Sequence, residues 1–216
     1  MTAAGDPHAG QPVLAAGAPP GTAALAVVAL HGRGAGAEDM LALARAVDRP
    51  AATWLAPQAR HDTWYPNRFT APLAANEPWL ESALAFVGRV LEDLATHGVP
   101  ATRTVLLGFS QGACLALEYA ARHARRYGGV AGLSGGLIGP PGTRWECPVS
   151  FDGTPVFLGC SDDDPHIPLT RVRETSAVLT GMGAVVTERI YPAAGHTVLD
   201  DEIEQLRAMI DGLARA

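Results

Sequence analysis

Short continuous apolar runs alternate along this chain with longer stretches in which apolar positions recur every third or fourth residue. Residues 23–30 form the first such run and predict a buried strand. A glycine-rich loop, 31–36, follows. Met40, Leu43, Ala44 and Val47 then share a stripe behind the acids Glu38 and Asp39, which predicts a helix. Residues 53–56 predict a short strand stopped by Pro57, and 58–76 an irregular stretch. Leu80, Leu84, Val87, Leu91 and Leu94 predict a helix over 77–97, closed by Gly98 and Pro100. The second half predicts strands at 103–108, 129–133, 154–158 and 184–191. It predicts helices at 111–124, 168–179 and 199–213, with loops at 135–153, 159–166 and 192–196. Ahead of all this, 1–21 is rich in Ala, Gly and Pro. It predicts a flexible arm with a short edge strand near Pro12, Val13 and Leu14.

Strand and helix alternate to the end without a linker or a repeat. The expectation is one α/β domain over 22–216, a mostly parallel sheet with helices on both faces. In such sheets, sites lie beyond the carboxyl ends of the strands. The conspicuous polar groups fall there: Arg33, Ser110, the run Asp162-Asp163-Asp164, and His196.

Gly108-Phe109-Ser110-Gln111-Gly112 has the G-x-S-x-G form of a nucleophile elbow, a sharp strand-to-helix turn that exposes a serine hydroxyl. Gly132-Leu133-Ser134-Gly135-Gly136 has the same form, but the glycines and prolines after it cannot make a helix. Ser110 is therefore the candidate nucleophile, and Ser134 a loop residue at a strand end near the same cleft. A serine hydroxyl needs a base in hydrogen-bond reach, and the base needs an acid to fix its tautomer. His196, in a short loop after the last strand, is the candidate base. The acid is one of Asp162, Asp163 and Asp164. The N–H groups of Gln111, next to the serine, and of Arg33, in the loop His31-Gly32-Arg33-Gly34, are candidate oxyanion donors. Trp64, Tyr65 and Phe69 in the long irregular stretch are candidate walls of a substrate pocket.

At 216 residues and 48% hydrophobic, the chain can bury a sizeable core. A net charge of −6 without a basic cluster argues against nucleic acid as a partner. No apolar run is long enough to span a bilayer, and no secretory leader is read at the start. Cys114, Cys147 and Cys160 are odd in number, lack zinc spacing and read as reduced thiols of a cytoplasmic protein, with Cys114 a packing residue. The acidic loop with His166 has no second ligand set spaced to complete a metal site, and the chemistry calls for no cofactor.

With Leu30-His31-Gly32-Arg33-Gly34-Ala35, Gly108–Gly112, Leu133-Ser134-Gly135, Asp164-Pro165-His166-Ile167-Pro168 and Gly195-His196 in this order, the chain resembles the phospholipase/carboxylesterase family. These are α/β-hydrolases that include acyl-protein thioesterases and small bacterial carboxylesterases. The resemblance covers about 23–213. It implies a seven-stranded, mostly parallel core without a large lid domain. It also implies that the family's acid, in a D-x-x-V-P pattern, falls on Asp164. Leu158-Gly159-Cys160-Ser161-Asp162 departs from the family pattern, which has a histidine before this glycine, and keeps Asp162 and Asp163 as alternatives. The 64–69 stretch looks closer to a bacterial esterase subgroup than to the protein-depalmitoylating branch. The expected activity is a serine carboxylesterase for small carboxylic esters or thioesters, acting through an acyl-serine. Cyclic-ester hydrolysis resembling that of dienelactone hydrolases, or a non-catalytic binding protein on this scaffold, are the other readings. The expected partner is a small-molecule ester, with homodimerisation left open.

Overall fold

Every residue of β2 (Ala26–Leu30) is buried, and its side chains divide alternately between two cores. Ala26, Val28 and Leu30 join one core, Val27 and Ala29 the other, as the period of two along a strand dictates. The same division holds in β4 (Thr104–Phe109), β5 (Gly129–Leu133) and β6 (Pro155–Ser161). The protein is known from a computed structural model that describes residues 5–145 and 150–215. Cys147 lies outside these residues.

The remaining strands are β1 (Val13–Gly17), β3 (Thr53–Pro57) and β7 (Val185–Tyr191), and the sheet order is β1-β3-β2-β4-β5-β6-β7. Only β1 runs antiparallel, against β3; the other neighbours are parallel. Helices α2 (Trp79–Thr96), α3 (Gln111–Arg122) and α4 (Leu169–Gly181) supply the core on one face. α1 (Ala37–Val47) and α5 (Asp200–Arg215) supply it on the other. α2 buries the whole stripe read from its spacing, Leu80, Leu84, Val87, Leu91 and Leu94; of the stripe Ile203, Leu206, Ile210 and Leu213 in α5, Leu206 and Ile210 are fully buried and the others partly, and in α1 Leu43 is likewise only partly buried. Among the described residues no helix is long and apolar enough to cross a membrane.

Several bounds shift by one to three residues from the expectation, as where β2 starts at Ala26 rather than 23, and three differences have larger consequences. α2 starts at Trp79 rather than 77, because the residue before a proline is pushed out of the helical region and Glu77 sits at φ −84°, ψ 150°. β6 continues to Ser161, pairing Cys160 with Ile190 and Ser161 with Tyr191, so the acidic loop begins only at Asp162. The segment expected as a loose arm is anchored from Asp6 onward. β1 pairs along its whole length with β3, and His8 is fully buried between the rings of Trp64 and Trp79.

His8 uses every polar atom it has. Its backbone N–H donates to Ser82 Oγ at 2.9 Å, Nε2–H donates to the Trp64 carbonyl at 2.9 Å, and Nδ1 accepts the Arg60 N–H at 3.2 Å. Asp6 accepts a hydrogen bond from Ser82 Oγ and pairs with Arg89. This tautomer requires a neutral ring. Burial lowers the His8 pKa below 6.5, against the opposing pull of the Trp64 carbonyl and Asp6. The stability His8 contributes is therefore complete above pH 6.5 and is lost as pH falls through that value, where the unfolded chain takes up the proton first. His8→Ala is expected to cost about 2–4 kcal/mol at neutral pH, from the cavity and the lost hydrogen bonds. It should also flatten the dependence of unfolding free energy on pH below that point. Urea titrations across this range check both; an unchanged slope would show that His8 does not titrate on unfolding.

Candidate active site

Ser110 stands between the end of β4 and the start of α3 with φ 55° and ψ −118°, a region that side chains rarely enter. Its neighbours make the turn possible. A Cβ on Gly108 would stand 2.2 Å from the Gly112 carbonyl oxygen, and one on Gly112 would stand 2.1 Å from the Leu30 carbonyl oxygen. The Ser110 N–H is tied to the Leu133 carbonyl at 2.9 Å. The hydroxyl is thus held beyond the sheet, at the positive end of α3.

His196 follows β7. Its Nε2 lies 2.9 Å from Ser110 Oγ, and its Nδ1 lies 2.7 Å from Asp164 Oδ2. The other oxygen of Asp164 accepts the N–H groups of His166 at 2.8 Å and Ile167 at 3.0 Å. Burial opposes ionisation of Asp164, but these two N–H donors and His196 together outweigh it and hold the carboxyl below 3.8. A hydroxyl, an imidazole and a carboxylate in this chain can transfer the serine proton and stabilise the imidazolium that results. The Phe109 ring packs on His196 at 4.9 Å, and His166 stands edge-on to it at 4.8 Å.

The other two acids do different work. Asp163 accepts the Ser161 hydroxyl at 2.6 Å and the Gly195 N–H at 2.9 Å. Asp162 accepts the Ala193 N–H at 2.9 Å. Both fasten the loop that carries His196, and neither reaches its ring. Glu202 closes the far side of that loop by accepting the Leu199 N–H at 2.9 Å, and burial raises its carboxyl to about 7.

The loop after β2 lies against the elbow, where a Cβ on Gly32 would come within 3.3 Å of Ser110 Cβ. His31 shapes this loop, donating from Nδ1 to the Gly32 carbonyl at 2.7 Å and accepting the Ala59 N–H at Nε2 at 3.0 Å. Among the described residues, neither the Arg33 N–H nor the Gln111 N–H has a protein acceptor. Their side chains have a task the sequence did not reveal. The Arg33 guanidinium donates to the carbonyls of Tyr65, Pro66 and Asn67 at 2.9, 2.7 and 2.6 Å. The Gln111 amide accepts the Trp64 N–H at 2.9 Å and donates to the Tyr65 carbonyl at 2.8 Å. Together they pin the irregular 63–67 segment over the elbow.

A cleft of about 570 Å³ opens on Ser110 and His196. Tyr65 and Phe69 line it as expected, with Arg68, Cys114, His166 and Ile167, which the sequence did not single out as walls. Trp64 does not. It is fully buried, donates from its indole to the His31 carbonyl at 2.8 Å and packs on His8, His31 and Phe86. The largest ring of the segment turns to the core because an indole N–H can be buried only where an acceptor awaits it. Ser134 also misses the cleft: it is 1% exposed at the end of β5, beside the Cys160 thiol. Burial pushes Cys114 up to about 12, so its thiol is inert at neutral pH.

The profile of the phospholipase/carboxylesterase family matches residues 12–213. A phospholipase/carboxylesterase of Dyadobacter fermentans is 42% identical and superimposes with a TM-score of 0.89, covering 93% of this chain and 96% of that one. Esterase PE8 is 26% identical with a TM-score of 0.74, over 94% and 98% of the two chains. Acyl-protein thioesterase 1 of Gibberella zeae is 30% identical over 52% of this chain. The match spans about half of that relative's length, 49%. The sheet order, the helices on both faces and the uncovered cleft are those of an α/β-hydrolase fold without a large lid.

Proposed function

The chain belongs to the phospholipase/carboxylesterase family, and from that premise we propose that it is a serine hydrolase of small carboxylic esters or thioesters. The observation that carries the reading is the unbroken path from Ser110 Oγ through the His196 ring to Asp164, opening on a cleft beside two unpartnered N–H groups. In this mechanism His196 Nε2 takes the Ser110 proton as Oγ attacks the ester carbonyl carbon. Asp164 keeps the imidazolium paired, and the N–H groups of Arg33 and Gln111 hold the oxyanion, each worth about 2.7–4 kcal/mol to the transition state. The tetrahedral intermediate collapses; the C–O or C–S bond breaks and His196 returns the proton to the departing alcohol or thiol. Water, deprotonated by the same ring, then attacks the acyl-serine and releases the acid.

The Dyadobacter structure and esterase PE8 bear esterase-type names, which fits this reading. An acyl-protein thioester, the substrate named by the Gibberella relative, is not part of it, since the match spans only half of that protein. A cytoplasmic setting suits the buried free thiols of Cys114 and Cys160. A fluorophosphonate probe tests the chemistry directly. Intact-mass and peptide analysis should find one adduct, on Ser110, formed in the folded protein and not in urea. An unlabelled Ser110 in folded protein would favour the non-catalytic binding reading.

A further inference from the structure

The chain carries a net charge of −6, yet among the described residues no Asp or Glu lines the cleft. Its arginine walls are Arg33 and Arg68, and the His166 and His196 rings line it as well. The nearest carboxylate in the chemistry, Asp164, is spent behind His196 and has no exposed side-chain surface. Arg33 donates to three carbonyls and, among the described residues, forms no ion pair with an acid. Among the described residues, the Arg68 guanidinium makes no ion pair and no hydrogen bond, and it is exposed at the cleft wall. Some arginines elsewhere on this surface meet acids, as in Arg49–Asp211 and Arg189–Asp201, but neither cleft arginine does so among the described residues.

These cations are also held in place. Buried Asn76 accepts the Asn67 N–H at 2.8 Å and donates to the Arg68 carbonyl at 3.3 Å. Arg33 ties down 65–67 from the other side. Arg68 is thus presented on a backbone fixed at both flanks, which lowers the ordering needed when an anion docks. A cleft lined by one sign of charge focuses its field and concentrates substrates of the opposite sign, commonly by tenfold or more. A guanidinium offers paired donors that match a carboxylate.

We propose that the preferred substrates are small esters bearing a free carboxylate in the acyl or alcohol part, held by Arg68 with Arg33 supplying further positive charge. The proposal rests on the esterase reading of the same site. The test compares kcat/KM for two matched pairs: monoethyl succinate against ethyl butyrate, charged on the acyl side, and 4-acetoxybenzoate against phenyl acetate, charged on the alcohol side. In about 10 mM salt the anionic member of at least one pair should be favoured about tenfold, and the preference should shrink toward unity near 0.5 M salt. Arg68→Gln should lower the ratio at least about threefold, Arg68→Glu should invert it, and Arg68→Lys should keep most of it. A merely structural arginine would change both members of a pair alike. Ratios at or below unity in both pairs, with the neutral esters turned over, overturn this inference and leave the esterase reading standing. Failure to hydrolyse any of the four, with no fluorophosphonate adduct on Ser110, overturns the reading beneath it.

Discussion

Ser110→Ala is expected to lower kcat for p-nitrophenyl acetate by roughly four to six powers of ten, the range seen when a serine triad loses its nucleophile. Among the described residues the neighbouring cleft thiol, Cys114, cannot stand in for the hydroxyl, being 1% exposed and raised to about 12. The residual rate should remain above that in water, because the Arg33 and Gln111 N–H groups survive the change. Asp164→Asn should cost up to about 10⁴, since an amide at 2.7 Å from Nδ1 can present its N–H and trap the wrong tautomer. The double variant should be scarcely worse than Ser110→Ala, as expected for residues that act as a unit. Steady-state assays with purified variants decide this, and a Ser110→Ala protein within tenfold of the parent would sink the mechanism. Asp162→Asn and Asp163→Asn serve as comparisons. They loosen the 193–195 loop without removing a hydrogen bond to His196, so their losses should be far smaller.

The second large effect is steric. Gly112→Ala should destabilise the fold by about 3 kcal/mol or more, or prevent accumulation of folded protein. The added Cβ would lie 2.1 Å from the Leu30 carbonyl oxygen and 2.6 Å from that of His31. Both obstacles are backbone, so no side-chain rotation relieves them. Either α3 must lift from the sheet or the end of β2 must give way. That contact also sets the spacing between the Gln111 and Arg33 N–H groups, so surviving folded protein should react slowly with the fluorophosphonate. Gly212→Ala, in α5 with open space around it, is the control; it should be neutral or stabilising by up to about 1 kcal/mol. Urea midpoints compare the two, and equal stability of both variants would refute the packing argument.

The elbow illustrates how far local pattern reaches. An apolar run, two small residues flanking a serine, and a helix-forming stretch all act within ten or so positions, and the backbone they imply is the one observed at Ser110. Ser134 shares the pattern and even a positive φ of 51°, yet no helix follows it and it is buried away from the cleft. The irregular stretch shows the limit. Trp64 and Tyr65 are adjacent and similar in character, so composition cannot say which borders the cleft; the His31 carbonyl, waiting for an indole, turns Trp64 to the core. Likewise nothing in the local pattern singles out Arg68, and its meaning appears once the described walls of the cleft prove to hold no acid.

From the residues alone came the alternation of strands and helices, the parallel sheet, the serine on its turn and the histidine after the last strand. Each depends on interactions within a few residues of itself, where periodicity and backbone sterics dominate. Folding decided which of three neighbouring aspartates meets His196, that the Arg33 and Gln111 side chains lash one loop to another, and that the chain from Asp6 to Gly17 is packed rather than loose. Those outcomes hinge on partners up to 83 positions apart, as Asp6 and Arg89 are. Buried donors and acceptors must find one another across that distance, and only the folded arrangement says which do.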